Sequence, residues 1–466
     1  MKKLLLMLTL ILVACSSTAK KGDGPVAGSE FKIRDYETQV LPNGLTVMWI
    51  PDSSLPYVSM QMMIKAGSSQ DPVGKEGLAS FTAGMLDQGT SGRTSLEISE
   101  DLEQIGSDFG IEVQPDYTIA SISSLSFHKN KTLELFREIL LRPSFPVKEI
   151  ERQRKIRTAG LQKLADRPND FSEYLFPRFL YGSHPYGHEV AGTPKAIKNL
   201  NKTDIQNFYS RHFTPGNAVL AVVGQYDEAW KKKLVTDLGS WKSKAARTIE
   251  IPDFPQWKGL EVLLVDRNDL NQAQIQIGFK GVPRAIPEYL ELRAALKILG
   301  ESFGSRLFEE IREKRGLTYH IRAWFDPRLK PGPMGIYTFT RTDKIGETIQ
   351  ETLNTYRNFV SEGVSDKEVQ DTKNLMRGQF PRMFETPESL ARQLLILGRY
   401  GVSPDYLTQY LQNLNGITTD SVNATVRKYF DSQNLKILVY APKEKAEAEL
   451  RKLGKLEIKG YKDFLQ

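Results

Sequence analysis

The chain carries one long arrangement twice. In its first half Lys148-Glu149-Ile150 opens a helical stretch, and Thr203-Asp204, His212-Phe213, Asn217 and the apolar run 218–223 follow. In its second half Lys367-Glu368-Val369, Thr419-Asp420, Tyr429-Phe430, Asn434 and the apolar run 435–440 repeat that order at nearly the same spacings. A repeat this long is a whole domain, not the 20–50-residue unit of a solenoid. At 466 residues the chain also exceeds what one core can serve. Each half opens with strand-like alternation, at 45–50 and 58–64 in the first and at 262–265 and 273–279 in the second, and helical periodicity follows. The expected class is α+β, with two homologous domains, each a mainly antiparallel sheet with helices packed on one face. Two prolines in Ile251-Pro252-Asp253-Phe254-Pro255 interrupt regular structure, which places the domains at 31–240 and 259–466 and a linker at 241–258. Thr203 and Thr419 are expected to cap their helices.

The N-terminus is a targeting segment. Lys2 and Lys3 precede an apolar run from Leu4 to Ala14, long enough for a signal-peptide core and too short to span a bilayer. Cys15, the sole cysteine, follows Leu12-Val13-Ala14. This arrangement resembles a bacterial lipoprotein signal, which implies removal of 1–14, acylation of Cys15, and attachment to a membrane through its lipid. Ser16 and Ser17, with no following aspartate, resemble Gram-negative sorting signals for the periplasmic face of the outer membrane. Residues 15–30 then form a Ser-, Lys- and Gly-rich tether. With Cys15 acylated, the mature chain has no disulfide to rely on. A composition of 40% hydrophobic and 26% charged residues is that of a globular protein, and a net charge of +7 without any basic block interleaved with aromatics gives no support to nucleic-acid binding.

One segment bears directly on chemistry. Ala66-Gly67-Ser68-Ser69-Gln70-Asp71-Pro72 leads into Gly77-Leu78-Ala79-Ser80-Phe81-Thr82-Ala83-Gly84-Met85-Leu86 and then Gly89-Thr90. That frame resembles the pitrilysin/insulinase family of zinc metallopeptidases, in its mitochondrial-processing-peptidase-like branch, whose helix carries H-x-x-E-H. Residues four apart share a helical face, so in that motif two imidazoles meet one metal and the glutamate reaches its bound water. Ser80, Ala83 and Gly84 stand at the three motif positions. The family's third ligand, a later glutamate, falls at Gly160 give or take one residue. Serine is a poor zinc ligand, and alanine and glycine offer no donor, so the resemblance is to a member lacking the zinc-binding motif. It extends over essentially all of the chain after the tether, including His184-Pro185-Tyr186-Gly187, Phe213-Thr214-Pro215-Gly216-Asn217-Ala218 and Gly304-Ser305-Arg306-Leu307-Phe308. It implies that the two domains form half of a clamshell.

The second half retains what the first has lost. In Arg312-Glu313-Lys314-Arg315-Gly316-Leu317-Thr318-Tyr319, an amphipathic helix over 303–313 and a strand over 317–325 place Arg312 at a helix end and Tyr319 on the strand. By resemblance, an Arg and a Tyr so spaced reach substrate across the family's chamber, the guanidinium fixing a peptide carbonyl and the phenol donating to the developing oxyanion. On spacing alone the same residues are a solvated or Glu309-paired arginine and a half-buried strand aromatic, and Arg315 is a solvated turn residue. His184 and His188 lie four apart beside Glu189, but Pro185 and Gly187 between them disfavour a shared helical face. His128, His212 and His320 are read as isolated surface or strand residues.

The resemblance therefore implies a non-zinc subunit of a heterodimeric bacterial zinc metallopeptidase. It is inactive alone and holds no cofactor, and it supplies Arg312 and Tyr319 to the zinc of a homologous partner bearing H-x-x-E-H, with unfolded peptides as substrates. The alternative is a non-catalytic peptide-binding or scaffold lipoprotein of the same fold, as in the family members that became core subunits of respiratory complexes. Self-pairing stays open, since related chains pair through the same surfaces.

Overall fold

The computed structural model describes residues 33–242 and 250–465. The signal segment, the whole tether with Cys15, and part of the linker lie outside them. Among the described residues no helix is long and apolar enough to cross a membrane.

Each half builds one six-stranded sheet. The first comprises β1 (Glu37–Val40), β2 (Thr46–Pro51), β3 (Tyr57–Ile64), β4 (Phe109–Val113), β5 (Thr118–Leu125) and β6 (Ala218–Gly224), in the order β1-β2-β6-β3-β5-β4. The second comprises β7 (Leu260–Asp266), β8 (Gln272–Lys280), β9 (Ile321–Phe325), β10 (Pro333–Arg341), β11 (Leu435–Ala441) and β12 (Lys455–Gly460), in the order β12-β7-β11-β8-β10-β9. Five strands correspond pairwise, and the repeat is therefore one of tertiary structure. The sixth differs in origin. β1 precedes its sheet and pairs antiparallel with β2, whereas β12 comes from the C-terminus and pairs parallel with β7. Both sheets are consequently mixed, each with a parallel pair at its centre-left, β2 with β6 and β7 with β11.

Each half packs its own helices on one face of its own sheet. In the first half Ile98, Phe136, Ile150, Phe208 and Leu234 close over Val47, Trp49, Met60 and Val222. In the second, Leu292, Leu353, Val369 and Val426 close over Val262, Ile275, Ile277 and Val439. The opposite faces are covered by exchange. The helix Pro387–Arg399 of the second half lays Leu390, Leu394, Leu395 and Leu397 on Met48, Ile50, Met63 and Val223 of the first sheet. The helix Pro168–Tyr181 of the first half lays Phe171, Leu175, Phe176 and Leu180 on Leu263, Val265, Leu438 and Tyr440 of the second.

A buried glutamine marks each crossing. Gln61 on β3 donates to the Glu388 carbonyl (3.1 Å), and Gln276 on β8 donates to the Ser172 hydroxyl (3.2 Å). The two are equivalent by register, since Gln61 faces Ala221 on β6 and Gln276 faces Leu438 on β11. Gly278 permits the close approach of the first-half helix, because a Cβ there would stand 2.2 Å from the Phe176 ring. At the seam the buried Asp116 accepts from the Tyr186 hydroxyl (2.7 Å) and the Leu329 amide (2.9 Å), while its carbonyl accepts from Arg399 Nε (2.7 Å).

Several local expectations shift. Asn201 and Thr418 cap the helices Lys202–His212 and Thr419–Tyr429, each through a reciprocal capping box. Thr203 lies one residue inside the first turn, and the Thr419 hydroxyl donates instead to Asp366. An asparagine or threonine just upstream makes the same cap, so the Thr-Asp pair was the wrong registry by one or two residues. His212 is buried at the end of its helix and is not a surface residue.

Because each half completes the other's core, the two halves are expected to unfold together. Leu394→Ala should lower stability by about 2–5 kcal/mol, the usual range for truncating a buried leucine. Its tryptophan-fluorescence and circular-dichroism transitions should shift as one, and their separation would contradict the exchange. A second expectation concerns pH. Burial pushes the Glu368 carboxyl up, but the Arg306 fork and the Ser365 amide and hydroxyl outweigh it and hold it down at about 2 against an ordinary 4.5. A depressed carboxylate contributes stability that is complete above its ordinary value and is lost as pH falls from about 4.5 through 2. Glu368→Gln should flatten acid unfolding, followed by circular dichroism, across that window.

Candidate functional site

The short helix Leu78–Ala83 is started by a side chain some distance upstream. Both Asp71 carboxylate oxygens accept from its first turn, Oδ2 from the Gly77 amide and Oδ1 from the Ala79 amide, each at 2.7 Å. Gly77 at φ +96° lets the chain enter there, in a conformation that L side chains rarely adopt. Ser80 and Gly84 share the half-exposed face, whereas Ala83 is buried.

Into this face comes Arg157, from the helix Val147–Lys163. Its Nη1 donates to the Ser80 hydroxyl (3.0 Å) and its Nη2 to the Ser80 carbonyl (3.1 Å), with the guanidinium over the Phe81 ring at 5.2 Å. A Cβ on Gly84 would meet Nη2 at 2.3 Å. Among the described residues Arg157 has no carboxylate partner and its Nε is buried without a hydrogen bond, and burial pulls its pKa down. Gly160, one turn further along the same helix, is exposed and faces open space. The four positions do not fit zinc. The one hydroxyl is occupied by a guanidinium, two positions lack a donor and face a cation or the core, and the fourth faces solvent.

Arg157 escaped the sequence reading, though a signal existed: it lies three residues before Gly160 and so on nearly the same helical face. Elsewhere among the described residues, no three His, Cys, Asp or Glu side chains converge as a metal site. His184 and His188 diverge. His184 accepts the Tyr186 amide and bonds the Pro252 carbonyl, while His188 bonds the Glu189 carbonyl and stands 3.9 Å from Asp71.

Arg312 and Tyr319 do come together. The segment Phe308–Lys314 is a π-helix, wider than an α-helix and common where chains build functional sites. Gly316 at φ +60° turns the chain back. Tyr319 then falls in the bend before β9, not on the strand, because β9 begins only at Ile321. The Arg312 guanidinium lies 4.6 Å from the Tyr319 ring and 4.5 Å from the Phe308 ring, with only a 3.5 Å approach to Glu313 for a counter-charge. Tyr319 is 74% exposed. Arg315 is bound into the structure by Glu310 (2.7 Å) and Glu351 (2.9 Å), which leaves Arg312 as the available arginine. No hydrogen bond, ion pair or ring contact joins this pair to the Ser80 group among the described residues.

Residues 46–194 match the family profile described as "Insulinase (Peptidase family M16)", and residues 199–376 match the one described as "Peptidase M16 inactive domain". Together they take in more than two-thirds of the chain. The chain belongs to peptidase family M16. Among its M16 relatives is an uncharacterized zinc protease, YmxG, of Bacillus subtilis, 25% identical over 406 residues, covering 85% of this chain and 96% of the relative. An uncharacterized zinc protease of Rickettsia bellii is 26% identical, covering 82% and 92%. The crystal structure of a peptidase M16 inactive domain from Pseudomonas fluorescens superposes with a TM-score of 0.82 at 26% identity, covering 88% of this chain and 98% of that one. A protease from Helicobacter pylori has the same fold, with a TM-score of 0.81 at 20% identity over 88% of this chain and all of that one.

If Arg157 blocks the emptied site, restoring Ser80→His, Ala83→Glu, Gly84→His and Gly160→Glu should bring no zinc while Arg157 remains. Adding Arg157→Ala to that background should permit uptake, read as metal content after dialysis. Equal uptake with and without Arg157 would show that the guanidinium is no barrier.

Proposed function

We propose that this chain is the non-metal subunit of a two-chain M16 peptidase. It lends Arg312 and Tyr319 to peptide bound at a homologous partner's zinc site. The observation that carries this reading is a contrast within one molecule: Ser80 and Gly84 are taken up by an internal cation, Arg157, whereas a half-buried Arg312 is stacked on an exposed Tyr319 with a 3.5 Å approach to Glu313 as its counter-charge. Arginine and tyrosine left in this state are groups that a second body can use. The guanidinium offers a planar fork for a peptide carbonyl. The phenol offers one donor to an oxyanion, where a preorganised donor matters most. Phe308, its ring centroid 4.5 Å from the guanidinium, helps to hold it in place.

The proposal extends to location. A lipid on Cys15 would tether the chain at the periplasmic face of the outer membrane, so that the partner and its unfolded peptide substrates would be met there. The N-terminal sequence supports this part of the reading, and radiolabelled palmitate incorporation that is lost in Cys15→Ser tests it.

Reconstituted with its partner, Tyr319→Phe should lower kcat for peptide cleavage by about 10²–10³-fold with assembly intact, the usual cost of one oxyanion donor. Arg312→Ala should lower kcat/KM comparably, with much of the loss in KM. Unchanged cleavage in both variants would favour the non-catalytic peptide-binding or scaffold reading.

A further inference from the structure

A pocket of about 420 Å³ lies in the second half, against the C-terminal end of the exchanged helix Pro387–Arg399. Its size falls within the ~300–1,000 Å³ range of small-molecule sites. It stands apart from the proposed function, since none of Ser80, Arg157, Arg312 and Tyr319 lines it. Its walls are aromatic, and Arg284, Arg293 and Lys297 bring three cations to it with no carboxylate among the lining residues.

The charges are unevenly matched. Glu301, just outside, is already committed: its two oxygens take the Arg293 fork at 2.8 and 2.6 Å, and Lys297 stands 3.7 Å away. Arg284 is left over. It is only 7% exposed, and it makes no side-chain hydrogen bond or ion pair among the described residues. Its guanidinium lies over the Tyr289 ring, 3.5 Å from the centroid, with the Tyr406 centroid 4.8 Å away and that ring turned 73° from Tyr289. Ring stacking stabilises the faces of a guanidinium but leaves its N–H edge unsatisfied. Among the described residues no Arg284 nitrogen is both fully buried and without a hydrogen bond, so water reaches the group, and an incoming anion would replace that water at a cation that has no counter-charge.

The geometry points to a binding site for a carboxylate carried on an apolar or aromatic body. The two oxygens of a planar carboxylate match the free edge of Arg284, Lys297 adds charge, and Phe380 and the tyrosines cover the apolar part. Two sources share this chemistry: the C-terminal residue of a peptide and a free fatty or aryl acid. Because the exchanged helix forms one wall, a ligand here would also bear on the packing between the halves.

Calorimetric titration of the intact chain in mild detergent tests the assignment. The probes are N-acetyl-Leu-Phe, decanoate and 4-phenylbutyrate, each against its own amide. The free acids are expected to bind at least tenfold more tightly than the amides, and the tighter of the peptide and the fatty acid identifies the source. Arg284→Gln should abolish the acid preference, and Lys297→Gln should reduce it. Equal binding of acid and amide, no heat from any acid at millimolar concentration, or an acid preference undiminished in both variants would overturn the assignment. The wild-type comparison alone decides it should Arg284→Gln fail to fold.

Discussion

The exchange of one helix between the halves is the interaction on which the rest of this structure depends. A sheet buried on both faces needs apolar cover on both, and neither half supplies the second cover itself. The first sheet takes Leu390, Leu394, Leu395 and Leu397 from the second half; the second sheet takes Phe171, Leu175, Phe176 and Leu180 from the first. The arrangement ties two repeated domains into one body. It also fixes how the surface bearing Ser80 and Arg157 lies relative to the surface bearing Arg312 and Tyr319. Asp116, buried at the seam and bonded by Tyr186, Leu329 and Arg399, adds polar specificity to an apolar contact.

The helix face where the family resemblance would place a metal is not a void. A zinc ion held by two imidazoles and a carboxylate would be a concentrated positive charge between two helices. Here Arg157 puts a diffuse positive charge in the corresponding place, held by the Ser80 hydroxyl and carbonyl and by the Phe81 ring. Ser80 and Gly84 suit that occupant. Serine supplies an acceptor, and glycine leaves the space that a Cβ would deny. Ser80, Gly84 and Arg157 are thus mutually consistent as one packed polar contact.

Much of the fold was legible because the repeat lies in strongly periodic elements. The runs 218–223 and 435–440 became the central strands β6 and β11, and the paired Lys-Glu openings became helix starts. The helix exchange was hidden, because hydrophobic periodicity shows that a helix has an apolar face and not which sheet receives it. A trace was present in Gln61 and Gln276, buried mid-strand glutamines at equivalent positions. At the site, the motif positions could be located by spacing, and spacing also puts Arg157 near the Gly160 face of its helix, but its contact with Ser80 depends on how two helices separated by some seventy residues pack. Tyr319 fell short of its strand because the π-helix and Gly316 take up residues that a regular helix and strand would have used.

The proposed role is that of a chain that holds no metal and completes a site that another chain begins. Its most direct test is to isolate the protein from its native membrane in mild detergent, identify what accompanies it, and measure zinc and chelator-sensitive peptide cleavage in that material and in the purified chain. A chain with that role should bring down a stoichiometric H-x-x-E-H partner, with zinc and cleavage in the complex and neither in the chain alone. A solitary or self-paired chain, or a complex without zinc-dependent cleavage, would contradict it.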